Sequence, residues 1–120
     1  MKVTVNGNEI ELVYTIGTTY MYEKIYNEPF DITQLSKQSV VMDYLYCNIL
    51  TALKSKNLPM NFSINDFIAW LDEQGGIMFL NEYALYLSKQ LEIQFNLKPK
   101  SEDKEEEELK KKVKKGKKSS

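Results

Sequence analysis

An α+β fold is what this sequence of 120 residues predicts: an N-terminal β-hairpin followed by about four helices, with helix predominating. Three observations carry that expectation. Two β-prone runs flank an Asn-Gly pair at the start of the chain. Downstream, apolar residues recur at the helical period. Pro, Gly and capping residues then divide that periodic stretch into helix-sized pieces.

The hairpin comes from Lys2-Val3-Thr4-Val5 and Ile10-Glu11-Leu12-Val13-Tyr14, placed around Asn6-Gly7-Asn8-Glu9. Asn-Gly supplies the positive φ that a tight hairpin turn needs. Alternation puts Val3 and Val5 on one face, and Ile10, Leu12 and Tyr14 on one face of the return strand. Thr18 or Thr19 is then expected to cap a short helix running to about Asn27, with Met21, Ile25 and the Tyr22/Tyr26 pair on adjoining stripes. Glu28-Pro29 ends it, because the residue before proline is disfavoured in helical conformation.

Asp31 or Thr33 opens the next segment, whose clearest helical part is Gln38 to Lys56. Val41, Leu45, Ile49, Ala52 and Leu53 follow the helical period there, while Met42, Tyr46 and Leu50 widen the apolar arc. This is the expected central helix, closed by Asn57-Leu58-Pro59. Ser63-Ile64-Asn65-Asp66 reads as a capping box before Phe67-Ile68-Ala69-Trp70-Leu71, with Ile64, Phe67, Ile68 and Leu71 on one face. Gly75-Gly76 terminates that helix. It lacks the strand-turn-helix setting of a phosphate loop. A last helix is expected from about Met78 to Phe95, with Leu80, Tyr83, Ala84, Leu87 and Leu91 as its stripe. A further strand around Asn61-Phe62 is also compatible with the sequence.

Charge divides the chain in two. Residues 1–97 carry six Lys against eleven Asp and Glu, a net −5; residues 98–120 carry ten Lys against six acids, a net +4. Beyond Leu97 the aliphatic and aromatic residues shrink to Leu109 and Val113. An acidic block from Glu102 to Glu108 precedes a Lys-rich block from Lys110 to Lys118. Such a segment buries too little apolar surface to offset about 1–2 kcal/mol per residue of backbone ordering. The expected organisation is a single compact domain over 1–97 and a disordered charged tail over 98–120.

Composition also excludes chemistry. The chain has no His and no Arg, and one Cys. The commonest general base, the commonest transition-metal ligand and the bidentate phosphate clamp are all missing. A lone thiol fits a reducing compartment and permits no internal disulfide. No secretory signal follows Met1, and no run approaches the roughly 18–20 apolar residues of a membrane span. The reading is a cytoplasmic, non-catalytic protein without a cofactor or bound metal.

Cys47 lies inside the central helix with no cation beside it in sequence, so a buried structural thiol is favoured over a nucleophile. Asp66 is explained by capping. Asp72, Glu73 and Glu82 read as solvated faces, with no spacing that resembles a calcium loop. Eight Tyr, five Phe and one Trp make an aromatic-rich body, and most should be core. Tyr20, Tyr22, Tyr44 and Trp70 lie where the apolar stripes broaden and are the candidate partner-binding residues. The Lys-rich end attracts phosphate only non-specifically. Its lack of Arg and aromatics, and its acidic prefix, argue against a nucleic-acid partner.

The order and size of these elements resemble the tail assembly chaperones of long-tailed bacteriophages, of the type infecting Gram-positive hosts. The residues carrying the resemblance are the hairpin Val3-Thr4-Val5-Asn6-Gly7-Asn8-Glu9-Ile10-Glu11-Leu12, the short helix after it, and the long helix ending at Lys54-Ser55-Lys56. The Ser63 to Leu71 helix and the last helix complete it over roughly residues 1–97, and the acidic and Lys-rich terminus 98–120 also looks like that family. The resemblance implies a non-catalytic helper of virion assembly. Its expected partners are the tape-measure protein and the tail-tube protein, with self-association also compatible. It would work in the host cytoplasm and be absent from the mature virion. The alternative is a structural or regulatory phage protein, such as a connector component or an acidic interaction module.

The resemblance also implies a longer product made by ribosomal slippage near the end of the frame. Lys111, Lys112, Lys114, Lys115, Lys117 and Lys118 mark the A-rich codons where slippage would occur. Reading the gene tests this directly. An overlapping frame is expected to continue past those codons, and its absence would remove the slippage.

Overall fold

The computed structural model describes the backbone of residues 1–95 and the side chains of residues 1–92. Segment 98–120, the boundary placed before it and the six lysines tied to slippage lie outside the described residues. The elements are β1 (Lys2–Val5), β2 (Asn8–Glu11), α1 (Ile16–Tyr26), a short 3-10 helix (Ile32–Ser36), α2 (Gln38–Ser55), α3 (Ile64–Gln74) and α4 (Ile77–Phe95). A hairpin followed by four helices is the α+β arrangement that the sequence predicts.

β1 and β2 pair antiparallel, with Val3 opposite Ile10 and Val5 opposite Asn8. Asn6 and Gly7 both adopt positive φ, 52° and 79°, the pattern of a two-residue turn that matches strand twist. Val3, Val5, Ile10, Leu12 and Tyr14 are all buried, as alternation requires. A two-stranded hairpin is marginal by itself in water. Here the helices bind its backbone at several points. Trp70 Nε1 donates to the Thr4 carbonyl at 2.8 Å, Tyr86 Oη to the Leu12 carbonyl at 2.7 Å, and Lys56 Nζ to the Glu9 carbonyl at 2.7 Å. The Met1 amino group adds bonds to Glu11 at 2.6 Å and to Tyr86 Oη at 2.9 Å.

α1 starts earlier than the sequence suggests. Thr15 is the cap, its Oγ1 accepting from the Thr18 N–H at 3.1 Å. Thr18, expected as a cap, is fully buried, and Thr19 turns its hydroxyl onto Tyr44 Oη at 2.8 Å. The cause is tertiary: both hydroxyls find partners on α2. At the other end Asn27 adopts φ 57°, and its N–H returns to the Glu23 carbonyl at 2.9 Å. Asp31 then caps the 3-10 helix together with Gln34.

α2 ends in a Schellman pattern. Asn57 takes φ 58°, its N–H bonds to the Lys54 carbonyl at 3.0 Å, and the Leu58 N–H bonds to the Leu53 carbonyl at 2.9 Å. No strand forms at Asn61-Phe62; Phe62 is buried, and its carbonyl accepts from Tyr46 Oη at 2.6 Å. The capping box of α3 is present, with reciprocal 3.1 Å bonds between Ser63 and Asp66. Its buried face differs from the expected one. Phe67, Trp70 and Leu71 point inward, while Ile64 and Ile68 are 48% and 45% exposed. The helix is turned by Trp70, whose ring packs among Phe62, Phe67 and Phe79 while its N–H reaches Thr4. Along α4, Leu80, Tyr83, Leu87 and Leu91 are buried and Ala84 is partly so, as its periodicity predicts.

Asn48, at the middle of α2, joins the elements from inside. Its Nδ2 donates to the Val13 carbonyl at 3.0 Å and to Thr18 Oγ1 at 3.3 Å, and its Oδ1 accepts from Tyr83 Oη at 2.7 Å. Thr18 Oγ1 also lies 2.7 Å from Thr51 Oγ1 and 2.8 Å from Thr15 Oγ1. Thr51 donates to the α2 carbonyls of Cys47 and Asn48. Thr18 therefore donates to Thr51 and accepts from Thr15 and Asn48, so every donor in the network has an acceptor.

Removing one member leaves another buried and unpaired. Tyr83→Phe is expected to cost about 1–2 kcal/mol. Asn48→Ala, which also opens a small cavity, should cost about 2–4 kcal/mol. Denaturant unfolding of the single and double variants measures both values. Strict additivity of the two losses would contradict a shared network.

Candidate partner-binding groove

A groove of about 720 Å³ is lined by α1, by α2 and by Glu11, Val13 and Thr15 of the chain leading into α1. Val13, Met21 and Ala52 form its better-covered apolar wall, and Tyr20 and Ile25 its exposed one. Lys24 and Lys54 contribute cations, against the Glu11 carboxylate. The Met1 amino group, hydrogen-bonded to Glu11, holds that carboxyl below its ordinary pKa range. The groove is thus apolar with a cationic rim, on a body that is acidic overall.

The outward face of α1 extends this surface. Ile16 is 77% exposed, Tyr20 64% and Ile25 53%. Lys24 Nζ stands 5.7 Å from the centre of the Tyr20 ring, a cation–π contact at the groove edge. Ile16, Tyr20 and Lys24 follow one another at four-residue steps, the spacing of one helix face. Beneath the groove lie Asn48 and Thr51, so its floor reaches the buried polar network.

Of the four candidate aromatics, the structure leaves Tyr20 at the surface and takes the other three inside. Tyr22 is buried against Tyr26, Phe30 and Tyr44, with ring centres 5.1–5.8 Å away. Tyr44 stacks on Phe30 at 4.1 Å, and Trp70 belongs to the second aromatic cluster. Their bulk fills the core and is not offered to a partner. Ile25 and the two lysines were missed as groove residues, and Ile16 as part of the exposed face beside them. The available signal was the four-residue spacing of Ile16, Tyr20 and Lys24, hidden by an expected helix start at Thr18 or Thr19.

The chemistry-bearing groups are dispersed. Cys47 is buried, and burial pushes its thiol up to about 12. Among the described residues no three His, Cys, Asp or Glu converge to hold a metal ion. None of their helices is long and apolar enough to cross a membrane. No family model, curated protein or solved structure matches this chain.

Asp43 carries the shift with a consequence for stability. Burial raises its carboxyl above the ordinary value of 3.8, the neighbouring Tyr26 hydroxyl offsets part of this, and Glu28 adds to the rise. A carboxyl with a raised folded pKa binds protons more readily folded than unfolded, so its ionisation destabilises the fold. That penalty is present at neutral pH and is lost as pH falls through the raised value toward 3.8. Asp43→Asn keeps an acceptor for Tyr26 and removes the charge. It should raise the melting temperature at pH 7, with the advantage vanishing below about pH 4. An equal or lower melting temperature at pH 7 would contradict the assignment.

Proposed function

We propose that this protein is a non-catalytic tail assembly chaperone of a long-tailed bacteriophage. In this reading it holds tape-measure and tail-tube proteins during assembly in the host cytoplasm and leaves before the virion is complete. The observation that supports it best is the open apolar groove between α1 and α2, edged by exposed Tyr20 and Ile25. An amphipathic helix can lay its apolar face into such a groove through residues at i, i+4 and i+7. Lys24 and Lys54 would pair with acidic residues flanking that face, or extend their stems along it. The groove keeps polar wall groups from Thr15 and Thr51, which favours a contact that can be reversed.

This role needs a covering surface and no reacting group. A tape-measure protein exposes long apolar helical stretches before it is enclosed, and a small acidic body laid along them would slow their self-association. The order of hairpin, short helix, long helix, capped helix and last helix is the one on which the family resemblance rests.

Co-expression with tape-measure and tail-tube proteins tests the proposal. The wild-type chain should recover at least one of them. Tyr20→Asp combined with Ile25→Asp should reduce recovery about tenfold or more while leaving the melting temperature nearly unchanged, since both residues are exposed. Recovery of neither partner by the wild type would reject the role. Finding the protein in purified mature particles would instead mark a structural component.

A further inference from the structure

A second exposed surface lies on α3 and has the opposite charge. Ile64 and Ile68 stand outward four residues apart, and Asp72 follows at the same step with Glu73 beside it. α3 carries three acidic residues and no lysine. Asp72 and Glu73 make no ion pair among the described residues, where the one salt bridge joins Met1 and Glu11. Two half-exposed isoleucines beside uncompensated carboxylates call for a partner that is apolar and cationic.

The chain contains such a segment. Leu109, Val113 and Lys117 are spaced four apart, within a run of seven lysines from Lys110 to Lys118. These are the only aliphatic residues beyond Leu97, and they repeat the α3 order of apolar, apolar, charge with the sign reversed. We propose that residues 109–118 clasp the outer face of α3 within the same molecule, seating Leu109 and Val113 on Ile64 and Ile68 and lysines on Asp72 and Glu73. A parallel alignment sets Lys117 against Asp72 and leaves Lys114 or Lys118 for Glu73. The acidic block from Glu102 to Glu108 is repelled by the same carboxylates and serves as the spacer.

The reach is sufficient. α4 begins two glycines after α3 and spans 19 residues, about 28 Å, so the chain emerges about that far from α3. The fourteen steps from Phe95 to Leu109 extend up to about 46 Å. Two apolar pairs and exposed ion pairs make a weak contact. The tether compensates by holding the segment at an effective concentration in the millimolar range. Clasping would cover Ile64 and Ile68 and cancel part of the body's negative charge. It does not depend on the function assigned to the α1–α2 groove.

A paramagnetic label on the full chain tests the clasp. Ser119→Cys supplies the attachment point, because the buried Cys47 thiol, with its pKa pushed up to about 12, resists labelling. Amide signals across Ile64 to Glu73 should lose intensity selectively, by the same fraction at every protein concentration. The loss should disappear in the Leu109→Ser/Val113→Ser variant and at about 1 M salt, where the Debye length is about 3 Å. An absence of selective loss would overturn the proposal. So would loss centred on Thr15 to Ile25, or loss that grows with concentration and marks contact between molecules.

Discussion

Asn48 sets the geometry on which the other elements depend. A buried side-chain amide must use its donors and its acceptor, because each one left unpaired costs about 1–3 kcal/mol. Asn48 uses them on three different parts of the chain: the Val13 carbonyl before α1, Thr18 within α1, and Tyr83 on α4. Apolar contacts among Leu, Ile and Val tolerate sliding. Hydrogen bonds of 2.7–3.3 Å do not. The rotation of α1 about its axis follows from Thr18 facing α2, and that rotation turns Ile16 and Tyr20, each two positions from Thr18, outward. The open groove is thus a consequence of the buried network beneath it.

α2 also divides the aromatic residues. Tyr44 and Tyr46 are two positions apart, about 200° around a helix, so their rings leave opposite sides. Tyr44 joins Tyr22 and Phe30, whereas Tyr46 joins Phe62 and Phe67. A helix that feeds clusters on both sides must be apolar over most of its circumference, which accounts for the widened arc from Met42, Tyr46 and Leu50. The second cluster continues through Trp70 to Phe79, and the Trp70 N–H carries it to the hairpin at Thr4. The hairpin is held to the helices both by its apolar face and by side chains that bond its carbonyls.

What was legible in the sequence was what short stretches decide for themselves. Asn6-Gly7, the Ser63/Asp66 box and the Gly75-Gly76 stop each depend on backbone chemistry within a few residues, and each occurs as expected. Orientation was less legible. Ile64 and Ile68 match an inward stripe as well as Trp70 does, and only the aromatic cluster and the Thr4 carbonyl decide between them. Likewise, Thr15, Thr18 and Thr19 are all competent caps. The choice of Thr15 depends on partners for the other two hydroxyls, Thr51 and Tyr44, more than twenty positions away. The candidate aromatics failed as surface residues for the same reason: propensity marks Tyr22, Tyr44 and Trp70 as binding types, but burial is settled by distant residues.

The outward residues that tertiary structure selects fall into two chemically distinct surfaces. The α1–α2 groove combines apolar side chains with Lys24 and Lys54, and the α3 face combines Ile64 and Ile68 with Asp72 and Glu73. A net charge of −1 for the whole chain conceals this separation. Like charges facing across an apolar contact are unfavourable, so a segment with acidic flanks is directed to the groove and one with basic flanks to α3. The same few apolar side chains therefore need not compete for one ligand. If the lysine-rich segment sits on α3 as proposed, the groove between α1 and α2 stays free for a different ligand. That division follows from the signs of four side chains and from the helix rotations that bring them to the surface.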